Sequence, residues 1–143
     1  MTKYMLIMRG NEEALERYAQ IPFEQVIETM GRYNESMINA GVLVAGEGLA
    51  DASEGFVVDF SGETPLVTDG PYGEIKELFN GFWMIEVPTK EEAVEWASRA
   101  PLGRGNFIEV RRVNGAEDFP QDNEWIEKEE GWREEAAQRA AGS

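Results

Sequence analysis

Leu78-Phe79-Asn80-Gly81-Phe82-Trp83-Met84-Ile85-Glu86-Val87 is the longest apolar stretch of the chain, and its reading decides the fold. Its two alternating sets are Leu78, Phe82, Met84 and Phe79, Trp83, Ile85. Both are apolar, so the segment is a strand that must be covered on both faces. Cover for one face follows directly. Thr89-Lys90-Glu91-Glu92 is a capping box, in which Thr89 accepts from the third-residue amide and Glu92 reaches back. Ala93, Val94, Trp96 and Ala97 then form the apolar stripe of a helix that Pro101 and Gly103 end, and Phe107 to Val113 is the last core strand.

The same pattern runs upstream. Tyr4 to Met8 is a buried first strand, broken by Gly10-Asn11, and Glu12 to Ala19 forms a short helix or an ordered loop. Pro22 suits a first helical turn, and Phe23, Val26, Ile27, Met30, Met37 and Ile38 recur at helical spacing before Gly41. The spacing predicts a helix from Pro22 to Ala40. Val42 to Leu49 and Glu54 to Phe60 read as strands, Ser61-Gly62-Glu63 as a hairpin connection, and Pro65 to Thr68 as the returning strand. The order is strand, helix, a run of strands, helix, strand. This defines an α+β fold, a split β-α-β-β-α-β sheet with both helices on one face. The face carrying Trp83 and Phe79 is left open, and the same face of a second copy is the simplest cover, which predicts a homodimer.

With 143 residues, of which 42% are hydrophobic, the chain supports one core. The reading is a domain over residues 1–116 and an acidic extension over 117–143. The extension holds nine acidic and three basic residues, a local charge of −6. Trp125, Ile126, Trp132 and Ala136 lie at roughly helical spacing there, interrupted by Gly131. A helix that docks on its own domain or on its dimer mate is expected.

Cysteine and histidine are both absent. Disulfides, thiolate nucleophiles and Cys/His zinc sites are therefore excluded, as is the usual proton shuttle near neutral pH. Acid–base chemistry is left to carboxylates, Lys, Tyr or water. No cofactor and no metal site is expected. A net charge of −15 repels nucleic acid and anionic membranes, and Arg111-Arg112 is too short a basic patch to reverse that. No apolar run approaches the ~20 residues of a membrane span. Met1 to Met8 reads as a strand and not as a signal peptide, so a cytoplasmic location is expected.

Three polar groupings are candidates for chemistry. The densest is Thr68-Asp69-Gly70-Pro71-Tyr72-Gly73-Glu74-Ile75-Lys76-Glu77, whose glycines and proline fix a tight path between two strands. Asp69, Glu77 and Lys76 are the candidate catalytic groups, with Glu74 beside them as a ligand-binding carboxylate; the plainer reading is a turn in which Asp69 caps amides. Asn34 falls near the middle of the apolar stripe of its helix, where it binds a ligand or ties a strand to the helix. Tyr33 stands at the stripe's edge. Glu47 shares a face with Leu43, Ala45 and Leu49, and Glu109 with Arg111, Phe107 and Val113. Together with Trp83 these make a polar-ligand cleft or a salt-bridge network at the dimer seam.

Thr68 to Glu77 resembles the name-giving motif of the DGPF-domain, or YCII-related, family, with Tyr72 where Phe is usual. Tyr33-Asn34-Glu35, Ala40 to Leu43 with Gly46 to Leu49, Gly81-Phe82, Glu92-Ala93 with Trp96-Ala97, and Ile108 to Arg111 fit the family pattern in order, over about residues 4–119. The resemblance implies a ferredoxin-like unit that dimerises into an α+β barrel. Members are mostly uncharacterised bacterial proteins, some linked to extracytoplasmic-function sigma factors. A His–Asp pair has been proposed as the site of related proteins, and a chain without histidine cannot use it. Two functions follow as expectations. One is a small-molecule site near the Asp69–Glu77 loop, with carboxylate acid–base catalysis if it is an enzyme. The other is a non-catalytic dimeric interaction module linked to transcriptional regulation.

Overall fold

The computed structural model describes residues 1–70 and 78–142, with the side chain of Leu78 outside the description. These residues fall into two units, 1–112 and 113–142. In the first, β1 (Thr2–Gly10) leads to α1 (Glu12–Gln20) and α2 (Phe23–Asn39). Next come β2 (Leu43–Gly48), β3 (Phe56–Asp59), β4 (Leu66–Asp69) and β5 (Leu78–Val87). The unit ends with α3 (Lys90–Ser98) and β6 (Asn106–Arg112). The second unit is dominated by α4 (Glu124–Gly142). The protein is thus an α+β molecule.

Local chemistry explains the helix boundaries. Asn11 Oδ1 accepts from the Ala14 amide at 3.0 Å and starts α1, so the segment after it is a helix and not an ordered loop. Thr89 Oγ1 accepts from the Glu92 amide at 3.2 Å and starts α3. α2 begins after Pro22 and stops before Gly41, close to the boundaries read from the sequence.

β1, β2, β5 and β6 form one antiparallel sheet in the order β2-β5-β1-β6, and β3 and β4 pair as a separate hairpin. In the hairpin turn, Asp59 accepts from the amide and hydroxyl of Ser61, which holds its carboxyl below the usual range. The core of the sheet is Leu6, Trp83, Ile85 and Val87, covered by Tyr33 and Met37 of α2 and Ala93 of α3. Each fully buried aliphatic side chain in this set contributes about 1.5–3 kcal/mol.

Two expectations about facing are corrected. Trp83 was placed with Phe79 on the uncovered face, but it is buried beneath α2, paired in register with Leu6. The cause is a bulge: Met8 pairs with Gly81 and Arg9 with Phe79, so Asn80 is skipped. The extra residue flips the parity, and Phe79 shares the open face with Phe82 and Met84. Gly81 makes the bulge possible, because a Cβ there would lie 2.6 Å from Met8 Cε and 2.7 Å from the Glu47 carbonyl oxygen. Likewise, β2 shifts register between Leu43 and Ala45. Leu43 pairs with Ile85 and Glu47 with Phe82, so they point to opposite faces and not to one.

Helix α2 is rotated relative to the predicted stripe. Tyr33, expected at the edge, is buried, whereas Phe23, Ile27 and Ile38 are exposed. Val26, Met30 and Asn34 complete the inward side with Met37.

In the second unit, Asn123 Oδ1 accepts from the Trp125 amide at 2.9 Å and caps α4, which runs unbroken through Gly131. Glu124–Lys128 and Glu129–Arg133 ion pairs run along its surface at 3.1 and 2.7 Å. Such exposed pairs are worth about 0.2–0.5 kcal/mol each. None of the helix's residues is buried. No helix among the described residues is long and apolar enough to cross a membrane.

Candidate functional site

Beneath α1 and α2, on the helix side of the sheet, lies a cavity of about 790 Å³. Small-molecule sites generally enclose ~300–1,000 Å³. Leu15, Ile21, Val26, Met30 and Met8 supply apolar wall, and Trp83 forms part of the floor. Polar groups enter at separate points: Asn34 from α2, Arg17 and Tyr18 from α1, Asn80 from the bulge, and Arg104 and Asn106 from the end of the α3–β6 connection.

The floor is held rigidly. Trp83 Nε1 donates to Asn34 Oδ1 at 2.8 Å. The ring of Tyr33 meets the indole edge-on, with centroids 5.0 Å apart and planes at 82°, a favourable aromatic geometry. The Tyr33 hydroxyl in turn donates to the Trp96 carbonyl at 2.7 Å. Burial pushes the Tyr33 phenol up to about 12, so it stays a neutral donor across physiological pH. β2 reaches the indole only because residue 46 is glycine, since a Cβ there would sit 2.9 Å from Trp83 Cδ1.

The bond to Trp83 also fixes what Asn34 offers. An indole N–H only donates, so the oxygen of Asn34 must face it. The Asn34 amino group, with two donors, is then left for the cavity that the residue lines. Asp51 on the wall has its carboxylate taken by the Ser53 amide at 2.9 Å, which holds it below the usual range. Arg17 is paired with Glu13 at 2.8 Å.

Of the residues singled out from the sequence, the cavity brings together Asn34, Glu47 and Trp83. Glu109 and Arg111 lie across the sheet. Their neighbours Ile108 and Val110 pack on the core, so they point away from it. There Glu109 accepts from Arg9 at 2.8 Å and stands 3.8 Å from Arg111. β2 and β6 are opposite edges of the sheet, about 14 Å apart at ~4.8 Å per strand, so Glu47 does not reach Glu109 or Arg111. Asp69 ends β4, exposed and opposite Phe56. Glu74, Lys76 and Glu77 lie outside the described residues. Among the described residues no group of three or more carboxylates is placed to hold a metal ion.

Arg104, Asn80 and Asn106 line the cavity and were missed in the sequence reading. One signal existed: an Asn-Gly pair inside an otherwise apolar strand marks a bulge. Nothing local marks Arg104.

Fold and cavity together define an α+β domain with a helix-side pocket beside a closed core. The YCII-related domain matches residues 2–117, and the chain belongs to that family. It is also 25% identical over 111 residues to an uncharacterized protein of Rhizobium meliloti (strain 1021). That alignment covers 76% of this chain and 89% of the other.

Proposed function

We propose that this YCII-related domain binds a small molecule in the cavity between α1, α2 and the sheet. The observation that carries the reading is the combination of a mainly apolar 790 Å³ space with a floor fixed by the Trp83–Asn34 bond. A pocket with few, convergent polar groups and rigid walls is what ligand recognition requires. Any acid–base step would draw on carboxylates; Asp69, Lys76 and Glu77 are the groups proposed for it, with Asp69 outside the cavity lining and Lys76 and Glu77 outside the described residues. Asp69→Asn and Glu77→Gln variants that bind but no longer turn over a ligand would support that role.

The unit is further proposed to be ferredoxin-like and to pair through its open sheet face into a barrel. Phe79 and Phe107 on that face are 45% and 53% exposed, with Phe82 and Met84 beside them. Sedimentation of Phe107→Asp checks this, with a monomer expected.

The binding reading is tested by a thermal-shift screen of small organic acids, amino acids, nucleotides and neutral aromatics. A ligand at a hundred times its dissociation constant stabilises the fold by ~2.7 kcal/mol. For a domain of this size the midpoint rises by several degrees. The shift is expected to vanish in Val26→Trp, which fills the cavity from α2. A ligand that shifts both proteins equally binds elsewhere, and a library without a cavity ligand rejects the reading.

A second reading is favoured by α4. Trp125 and Trp132 are 63% and 55% exposed and seven residues apart, on one side of the helix. An interaction module would use this helix to engage a protein, for which a sigma factor is the probe the family resemblance suggests. A chain ending at Asp118 should then keep its melting temperature and lose that binding.

A further inference from the structure

We infer that the cavity takes a small organic carboxylate with an apolar body, its anionic head at Arg104 and an oxygen acceptor at the Asn34 end. This rests on the binding reading above and names the class of ligand.

Acidic residues outnumber basic ones by 28 to 13, so an arginine in this chain has carboxylates to spare. Arg17 on the cavity wall takes one, Glu13, at 2.8 Å. Arg104 takes none: among the described residues it makes no ion pair or hydrogen bond, although it lines the same cavity. Asp51 and Glu47 line the same cavity, but among the described residues neither comes within ion-pair distance of Arg104. A guanidinium is a fixed fork of donors that suits a carboxylate. The Asn80 amino group, 3.1 Å from where a Gly10 Cβ would lie and beside Asn106 Oδ1, supplies a neutral donor on the same wall.

The opposite end is read from Asn34. Its oxygen is occupied by the Trp83 indole, so its amino group offers hydrogens only. It selects an acceptor such as a carbonyl. In register, Trp83 lies opposite Leu6 and Asn106 opposite Gly10. Four residues along β1 separate these points, about 13 Å at ~3.3 Å per residue. Met8, Met30 and Leu15 supply apolar wall for the ligand's body. Head, body and acceptor thus follow from three separate features of the wall.

The test uses a graded set of keto acids, namely levulinate, 5-oxohexanoate and 4-acetylbenzoate, each beside its primary amide, with 4-ethylbenzoate lacking the acceptor. Binding is read from the Trp83 indole resonance in 15N–1H spectra and from titration calorimetry on the full chain. At least one carboxylate should bind ten times or more tighter than its amide. That ratio should fall to near one in Arg104→Gln, whose melting temperature should be unchanged because the side chain has no partner. 4-Acetylbenzoate should bind several-fold tighter than 4-ethylbenzoate. Equal binding of acids and amides, or a preference that survives Arg104→Gln, overturns the ligand class and leaves the cavity reading standing. The class also falls if none of these acids moves the Trp83 signal while the broader library yields a cavity ligand. If that library yields none, both readings fall together.

Discussion

On the helix side of the sheet, Trp83 and Tyr33 are buried and each of their polar atoms has one fixed partner, Asn34 Oδ1 and the Trp96 carbonyl. On the other side, Arg9, Glu109 and Arg111 hold one another with side chains 41%, 38% and 73% exposed. From sequence both look like polar groups on strands or helix faces flanked by apolar neighbours. Burial separates them. A hydrogen bond in the covered layer meets less water than an exposed pair, so it fixes a geometry more firmly; an exposed ion pair exchanges with solvent and fixes little. A recognition site needs the first kind of chemistry, and the cavity is built against it.

The contrast is tested most strongly at Trp83. Trp83→Ala removes the floor of the cavity and the centre of the core together, and should lower stability by ~3–5 kcal/mol in urea unfolding. Next is Asn34→Ala, which leaves the indole N–H without its acceptor. A loss of ~1–3 kcal/mol is expected if water cannot take its place. A loss near zero would mean the cavity is wet at that point, and the floor less rigid than the covered layer implies.

The sequence and the structure part company in specific places. Caps at Asn11 and Thr89, the proline before α2 and the hairpin turn at Ser61 are local signals, and the elements they bound were legible. Facing was not. A single skipped residue, Asn80, reverses which side of β5 is covered, and an apolar strand reads alike in either register. On α2 six apolar residues span too wide an arc to choose an inward side. The bonds from Asn34 to Trp83 and from Tyr33 to Trp96 choose it, which leaves Phe23, Ile27 and Ile38 outside. The cavity was hidden for a related reason. Asn34, Asn80 and Arg104 come from three elements, and only the sheet order brings them to one wall. Pairing across that distance leaves no mark in a local window.

Tyr33→Phe tests the same layer with a smaller change. It removes only the hydroxyl, so a loss of ~0.5–1.5 kcal/mol is expected at neutral pH. The pH dependence carries the sharper signature. Burial raises the phenol from 10.0 to about 12, so the folded state holds its proton where the unfolded state has lost it. That contribution is fully present below pH 10 and is lost as pH rises towards 12. In stability–pH curves the wild type should decline across this window more steeply than Tyr33→Phe. Parallel curves would show that the ring is less shielded than its neighbours imply.

The smallest effect belongs to the open face. Glu109→Gln breaks the pair with Arg9, and in a monomer the loss should be no more than ~1 kcal/mol, shrinking further as salt is added. The same variant also probes the proposed pairing of two sheets. If a second copy covers this face, the Arg9–Glu109 pair lies in a water-poor seam, and removing one partner of a buried pair costs ~3–5 kcal/mol. The loss measured by unfolding should then grow with protein concentration and lose its salt dependence. A small, salt-sensitive loss at every concentration would place the open face in water, and the barrel would have to be abandoned while the cavity beneath α2 stands unchanged.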